Sequence, residues 1–211
     1  MMSEQVFGCL KSPKDIRDFR VCLKSTNIET LPESFQLAKS HIKDQGKVNS
    51  CVAHALSSMM EINDRNNYST EWIYGYRPEG YYQGEGMYPR EALKTLANKG
   101  AILNTILPQN VEIPEAKSIV DSKLSEYEIL AKGREILAYA KLNNEAEIKN
   151  WLFTKNTAVP ISIATTKIEL DANNIILIPD KYPDSGHMML IIGWNKFGFI
   201  VQNSWRKSLG K

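Results

Sequence analysis

Cysteine is scarce in this chain. Among 211 residues there are three, Cys9, Cys22 and Cys51. So low and odd a number argues against the paired frameworks that staple small secreted folds, and for a reducing compartment. Histidine is as scarce: His41, His54 and His187. His54 stands three residues after Cys51, but no second Cys/His pair follows at metal-ligand spacing, so neither a metal nor another cofactor is expected. Charge of one sign is also lacking. The net charge is +2 and no run of five basic residues occurs, which leaves no basis for a nucleic-acid or anionic-membrane partner. No apolar stretch approaches the ~18 residues that span a bilayer. Met1-Met2-Ser3-Glu4-Gln5 has no charged-then-apolar signal layout. The expectation is a cytoplasmic monomer.

What is present reads as one folded unit behind an arm. Residues 1–30 are polar and irregular, with a turn at Ser12-Pro13-Lys14-Asp15, and are expected to be extended. Residues 31–211 form the domain, with a helical lobe over about 31–110 and a strand-rich lobe over about 111–211. After a turn at Asp44-Gln45-Gly46-Lys47, the residues Val52, Ala55, Leu56, Met59 and Met60 recur at helical spacing behind Asn49 and Ser50, which puts Cys51 in a first helical turn. A short helix is predicted near Glu71–Tyr76. Pro89 and Gly100 bracket another, and Pro114 opens one running to about Lys132. Further on, Ile136, Ala138, Ala140 and Leu142 alternate as a half-buried strand would. A helix over Glu145–Phe153, a strand through Val159, Ile161 and Ile163, and a short apolar run at Ile175–Ile178 follow. The last element is a hairpin, Met188–Ile192 and Phe199–Val201, around Asn195-Lys196-Phe197-Gly198. Helices first and strands later make an α+β fold.

The chemistry gathers on Cys51. A thiol attacks a carbonyl as a thiolate, and free cysteine ionises near ~8.5, so it needs a helix N-terminus or an imidazolium beside it. His187, in Ser185-Gly186-His187-Met188, stands where a polar step enters a buried strand. Asn203 ends the partner strand and can accept a ring N–H. Gln45, on the turn before Cys51, can donate an amide N–H to an oxyanion.

Taken together, Gln45-Gly46-Lys47-Val48-Asn49-Ser50-Cys51, Gly186-His187 and Gln202-Asn203-Ser204-Trp205 resemble the nucleophile, histidine and asparagine segments of papain-family (C1) cysteine peptidases. They occur in that family's order and near its spacing of roughly 130–150 residues. Gly86-Met87 and the helix after it resemble the family's substrate edge. Leu31-Pro32-Glu33-Ser34-Phe35 resembles the start of the mature enzyme, and Ser12-Pro13-Lys14-Asp15-Ile16-Arg17-Asp18 a leader of bacterial members. The resemblance implies a papain-like fold with a cleft between two lobes. It implies a cysteine endopeptidase acting on peptides or proteins through a Cys51 thiolate and a His187 imidazolium, with Asn203 orienting and Gln45 at the oxyanion. Gly86, Met87, Ile163 and Met188 would bind substrate, the last two lining the specificity pocket, and Trp205 would shield the His187–Asn203 bond. Val48, Asn49, Val52 and His54 stand where the family usually has Cys, Gly, Trp and Phe, and Arg206 where it has Gly. An inactive peptide-binding module and an amidase or transpeptidase on the same triad are the alternatives.

Overall fold

The computed structural model describes residues 7–15, 31–76, 85–109, 113–165, 167–177 and 185–205. Cys22, Ile178, Arg206 and the leader-like residues 16–18 lie outside them. The element order is β1 (Cys9–Leu10), β2 (Phe35–Gln36), α1 (Cys51–Asp64), α2 (Thr70–Gly75), α3 (Pro89–Lys99), α4 (Ile113–Ser122), α5 (Leu124–Ala131), α6 (Glu145–Lys155), β3 (Val159–Ala164), β4 (Ser185–Asn195) and β5 (Gly198–Gln202).

Strand β4 is the hub of an antiparallel sheet, and every other strand pairs with it. β3 pairs from Val159↔Ile191 to Ala164↔Gly186, and β5 from Leu190↔Gln202 to Asn195↔Gly198, with a bulge between Ile191 and Gly193. β1 pairs at Cys9↔Gly186 and β2 at Phe35↔Trp194. A strand has two edges, so β3 and β2 share one edge and β1 and β5 the other. Among the described residues, two of the five strands therefore precede α1. Against this sheet lies α1, buried from Cys51 through Ile62. A helix apolar on nearly all sides belongs in a core, and its few polar groups are satisfied there. Ser57 Oγ donates to Tyr68 O at 2.7 Å. Glu61, at the far end, is ion-paired with buried Lys43 at 3.1 Å and with His41.

Helix limits follow local chemistry where it is strong. Pro89 opens α3 and Gly100 ends it at φ 79°. Ser69 caps α2 through Trp72 N–H, and Asn144 caps α6 through Glu147 N–H. The helix expected from Pro114 to Lys132 is two helices, broken at Lys123. α4 packs on α2: a Cβ placed on Gly75 would meet Ala116 O at 2.5 Å. The helical layer thus continues past residue 111.

The strand expected over Ile136–Leu142 does not form. Leu137 is fully exposed, Ala138 and Ala140 are exposed, and the backbone is irregular. The alternation there rested on alanines, which bury too little apolar area to hold a strand on a sheet face. The run at Ile175–Ile178 contributes only the isolated bridge Leu170↔Ile176 within the described residues.

Candidate active site

Cys51 is the first residue of α1. The preceding Ser50 makes no side-chain cap, and the first turn holds no acidic residue. Its hydroxyl instead contacts His54 Nδ1 at 3.1 Å. The positive end of α1 is therefore left to the sulfur. Backbone groups of Met188, Gly8, Val52 and Cys51 itself hydrogen-bond to that sulfur and favour the thiolate, but burial outweighs them and pushes the thiol up.

His187 comes from β4 and faces the same site, because the Met188 backbone group that reaches Cys51 is the next residue. Its Nε2 lies 2.7 Å from Asn203 Oδ1. That oxygen also accepts Ser204 N–H at 2.8 Å, which identifies it as the acceptor and Nε2 as the protonated nitrogen. Nδ1 then carries the lone pair, and it is buried without a hydrogen-bond partner. Burial lowers the His187 pKa to about 4 against the support of Asn203. Trp205 stacks on the imidazole, centroids 4.3 Å apart and 26° between planes. The indole thus covers the His187–Asn203 bond.

Gln45 is 2% exposed on its turn. Its Nε2 donates to Val48 O at 3.1 Å and its Oε1 accepts from Ser204 Oγ at 2.5 Å, while Gln45 N–H donates to Ser204 O at 3.0 Å. Ser204, one residue beyond Asn203, therefore orients the amide so that nitrogen rather than oxygen faces the nucleophile turn.

The cleft holds the N-terminal arm. Met87 N–H donates to Gly8 O at 2.8 Å and Leu10 N–H donates to Met87 O at 3.0 Å. On its other side the arm pairs with Gly186. Phe7 sets its ring edge-on to His187 and Trp205 at 5.9 and 6.0 Å. Farther along, Arg90 N–H donates to Ser12 Oγ at 3.4 Å and the Arg90 guanidinium to Pro13 O. Gly8 passes so close to α1 that a Cβ there would sit 1.8 Å from Asn49 O. Gly86, at φ 90°, would place a Cβ 2.7 Å from Gly8 O, and its N–H donates to Tyr74 OH at 3.0 Å. Under the arm both Cys51 and His187 are 0% exposed. Cys9 Sγ donates to Ser162 Oγ at 3.0 Å, and burial and the neighbouring Cys51 push its thiol up to about 12.

Cys51, His187, Asn203, Gln45, Gly86, Met87 and Trp205 thus gather around one cleft. Ile163 and Met188 do not share a pocket. Ile163 is paired with His187 and Met188 with Ser162, and successive residues point to opposite faces of a sheet. Ile163 packs against the cluster of Ile168, Met189 and Trp205, and exposed Ser162 is the cross-strand partner of Met188. Sequence reasoning passed over Phe7, Gly8 and Ser162, gave Cys9 no place in the cleft, and quoted Ser204 in the asparagine segment without a role. Only Ser204 carried a local signal, its place beside Asn203. His54 belongs to the core: its Nδ1 reaches Ser50 O at 2.9 Å and its Nε2 the Gln109 amide at 2.6 Å.

Burial lowers both His54 and His187 to about 4, below the ordinary ~6.5 of an unfolded chain. Above pH ~6.5 neither state binds these protons and stability is flat. Between about 6.5 and 4 the unfolded chain takes them up and the folded chain does not, so stability falls with falling pH. Each histidine contributes at most roughly 3 kcal/mol to that loss. Urea midpoints measured at pH 7, 6 and 5 should decline steadily, and a constant midpoint would contradict the buried neutral imidazoles.

No protein-family model and no curated protein sequence matches the chain. Solved structures do. Xylellain, a cysteine protease from Xylella fastidiosa, superposes with a TM-score of 0.80 at 21% identity, over 100% of this chain and 88% of that one. Digestive procathepsin L 3 from Tenebrio molitor gives 0.62 at 16%, over 99% and 68%. Bromelain from Ananas comosus, solved with the E64 inhibitor, gives 0.58 at 17%, over 86% of each chain. The chain has the papain-like cysteine protease fold, with Cys51 at its helix start and His187 on its central strand.

Proposed function

We propose that this protein is a cysteine endopeptidase whose nucleophile is Cys51. The observation that carries the reading is the arm itself. An extended peptide lies in the cleft, hydrogen-bonded to both polar groups of Met87 and paired with Gly186, with its Gly8 backbone against the Cys51 sulfur. A groove that takes extended backbone this way suits a peptide substrate whose scissile carbonyl is brought to the sulfur.

With the arm in place, thiol and imidazole are both neutral, because burial disfavours either charge. When the arm leaves, water and the α1 dipole stabilise the ion pair, and the Cys51 proton passes to His187 Nδ1. The thiolate attacks the peptide carbonyl carbon. The resulting oxyanion is held by Cys51 N–H and Gln45 Nε2, a type of contact worth ~3–4 kcal/mol. The C–N bond breaks as Nδ1 protonates the leaving amine, and a thioester remains on Cys51. Nδ1 then takes a proton from water, whose oxygen attacks the thioester and releases the acid. Asn203 holds Nε2–H throughout, so the ring presents Nδ1 to the sulfur.

The test is cleavage of a mixed peptide library by the full chain, paired with thiol labelling at pH 6. An epoxide reagent should modify Cys51 much faster than Cys9 or Cys22, and Cys51→Ser should abolish cleavage. Equal labelling of the three thiols with no cleavage at any sequence would defeat the proposal.

A further inference from the structure

We propose that Gln109 is a positioning residue that ties the oxyanion donor Gln45 to the nucleophile helix through His54. This deepens the peptidase reading and rests on it. The peptide group between Asp44 and Gln45 is gripped at both ends. Its N–H, that of Gln45, donates to Ser204 O at 3.0 Å. Its oxygen, that of Asp44, accepts from the Gln109 side-chain amide. Ser204 follows Asn203 in the chain, so the first grip sets Gln45 relative to the base. The second sets it relative to the thiol. The same Gln109 nitrogen lies 2.6 Å from His54 Nε2, and His54 stands three residues after Cys51 on α1.

His54 Nδ1 lies 2.9 Å from Ser50 O, which can only accept, so Nδ1 carries the ring hydrogen. Nε2 then holds a lone pair and needs a donor, because the ring is 3% exposed and a buried acceptor left unpaired is costly. An amide nitrogen has two hydrogens to give. Gln109 gives one to His54 Nε2 and one to Asp44 O, and so joins α1 to the donor's turn. Gln109 is itself anchored. Its backbone N–H donates to Asn104 Oδ1 at 3.2 Å, and Asn104 N–H donates to Asn67 O at 2.8 Å. Lys43 Nζ reaches Asn67 Oδ1 at 2.5 Å and Glu61 at 3.1 Å. The segment 43–45 is therefore fastened along α1 at two places, to Glu61 through Lys43 and to His54 through Gln109. The rest of the turn needs such fastening, since Asp44, Gly46 and Lys47 are exposed. An oxyanion donor acts only within about 2.7–3.1 Å of the developing charge, and a misplacement of about 1 Å costs up to ~10²-fold.

The experiment is steady-state kinetics of the full chain on its best library peptide, each variant first shown to unfold cooperatively in urea. Gln109→Ala should lower kcat roughly 10-fold and leave KM within about twofold of the parent. Alkylation of Cys51 by iodoacetamide at pH 6, which forms no oxyanion, should keep its rate. In a Gln45→Ala background Gln109→Ala should cost nothing further, because the donor it places is gone. His54→Phe keeps an aromatic ring in the core but breaks the link to α1. It should reproduce the loss of kcat, and the pair His54→Phe and Gln109→Ala should lose no more than either alone. A merely structural Gln109 would slow alkylation too and would add its loss to that of Gln45→Ala. Either of those results, or an unchanged kcat, would overturn the positioning and leave the peptidase reading intact. A parent that cleaves nothing would remove the peptidase reading, and ¹⁵N–¹H spectra then decide the positioning by themselves. The side-chain amide resonances of Gln45, assigned by their loss in Gln45→Ala, should move in Gln109→Ala; unmoved resonances would overturn it.

Discussion

Replacing His187 with alanine should lower kcat/KM on any cleaved peptide by roughly 10⁴-fold or more, as when the base of a nucleophile–base unit is removed. The size follows from the surroundings of Cys51. Burial pushes its thiol up despite the backbone groups around the sulfur, so the helix start alone cannot keep it ionised near neutrality. Without Nδ1 none of the described groups at the site takes the thiol proton or returns one to the leaving amine. Asn203→Ala should cost less, because it removes the 2.7 Å bond that orients the ring but leaves the base. Gln45→Ala should cost about 10²–10³ in kcat, the loss of one oxyanion donor. Ser204→Ala should reproduce part of that loss, since the Ser204 hydroxyl fixes the amide. The measurements are steady-state kinetics on the best library peptide together with the pH profile of Cys51 labelling. If His187→Ala labels Cys51 as fast at pH 6 as the parent does, the ion-pair mechanism fails.

The second large effect is expected from Gly8→Val. A side chain at Gly8 meets Asn49 O, which is backbone at the start of α1 and cannot give way. The arm would have to lift. What holds it is a few backbone hydrogen bonds of about 1 kcal/mol each and partial burial of Phe7, worth about 2 kcal/mol. Against these stands the entropy of ordering the arm, ~1–2 kcal/mol per residue. The net hold is small, on the order of 1–3 kcal/mol, so unseating the arm should raise Cys51 labelling and peptide turnover by roughly 10- to 100-fold. The His187 pKa should rise from about 4 toward its ordinary range as water reaches the ring, and the Cys51 thiol should ionise more easily. Labelling rates from pH 4 to 8 would read both changes. A folded Gly8→Val protein, judged by a cooperative urea transition, that labels no faster than the parent would show that the arm does not gate the site.

The sequence by itself determined the parts of this site whose signals are local. Helical spacing after Ser50 placed Cys51 at the start of a helix. Pro89 and Gly100 set the limits of α3, and the polar turn before Gly198 set the hairpin that carries His187 on one strand and Asn203 just past the end of the other. The order of the Gln45, Cys51, His187 and Asn203 segments carried the likeness to the papain-like fold that superposition shows. Where local pattern was thin it misled. The alternation from Ile136 to Leu142 had no apolar bulk to bury, and Lys123 split a helix that periodicity ran through.

Tertiary structure alone decided the rest. That Ile163 and Met188 face opposite ways depends on the register of β3 on β4, and a shift of one residue would reverse it. That the arm lies in the cleft depends on pairing between Cys9 and residues Met87 and Gly186, far apart in sequence, which no local propensity encodes. Residues 7–10 carry three apolar residues around one glycine, too short a run to announce a strand. They become one because β4 offers an open edge and the Gly86 turn offers a matching backbone.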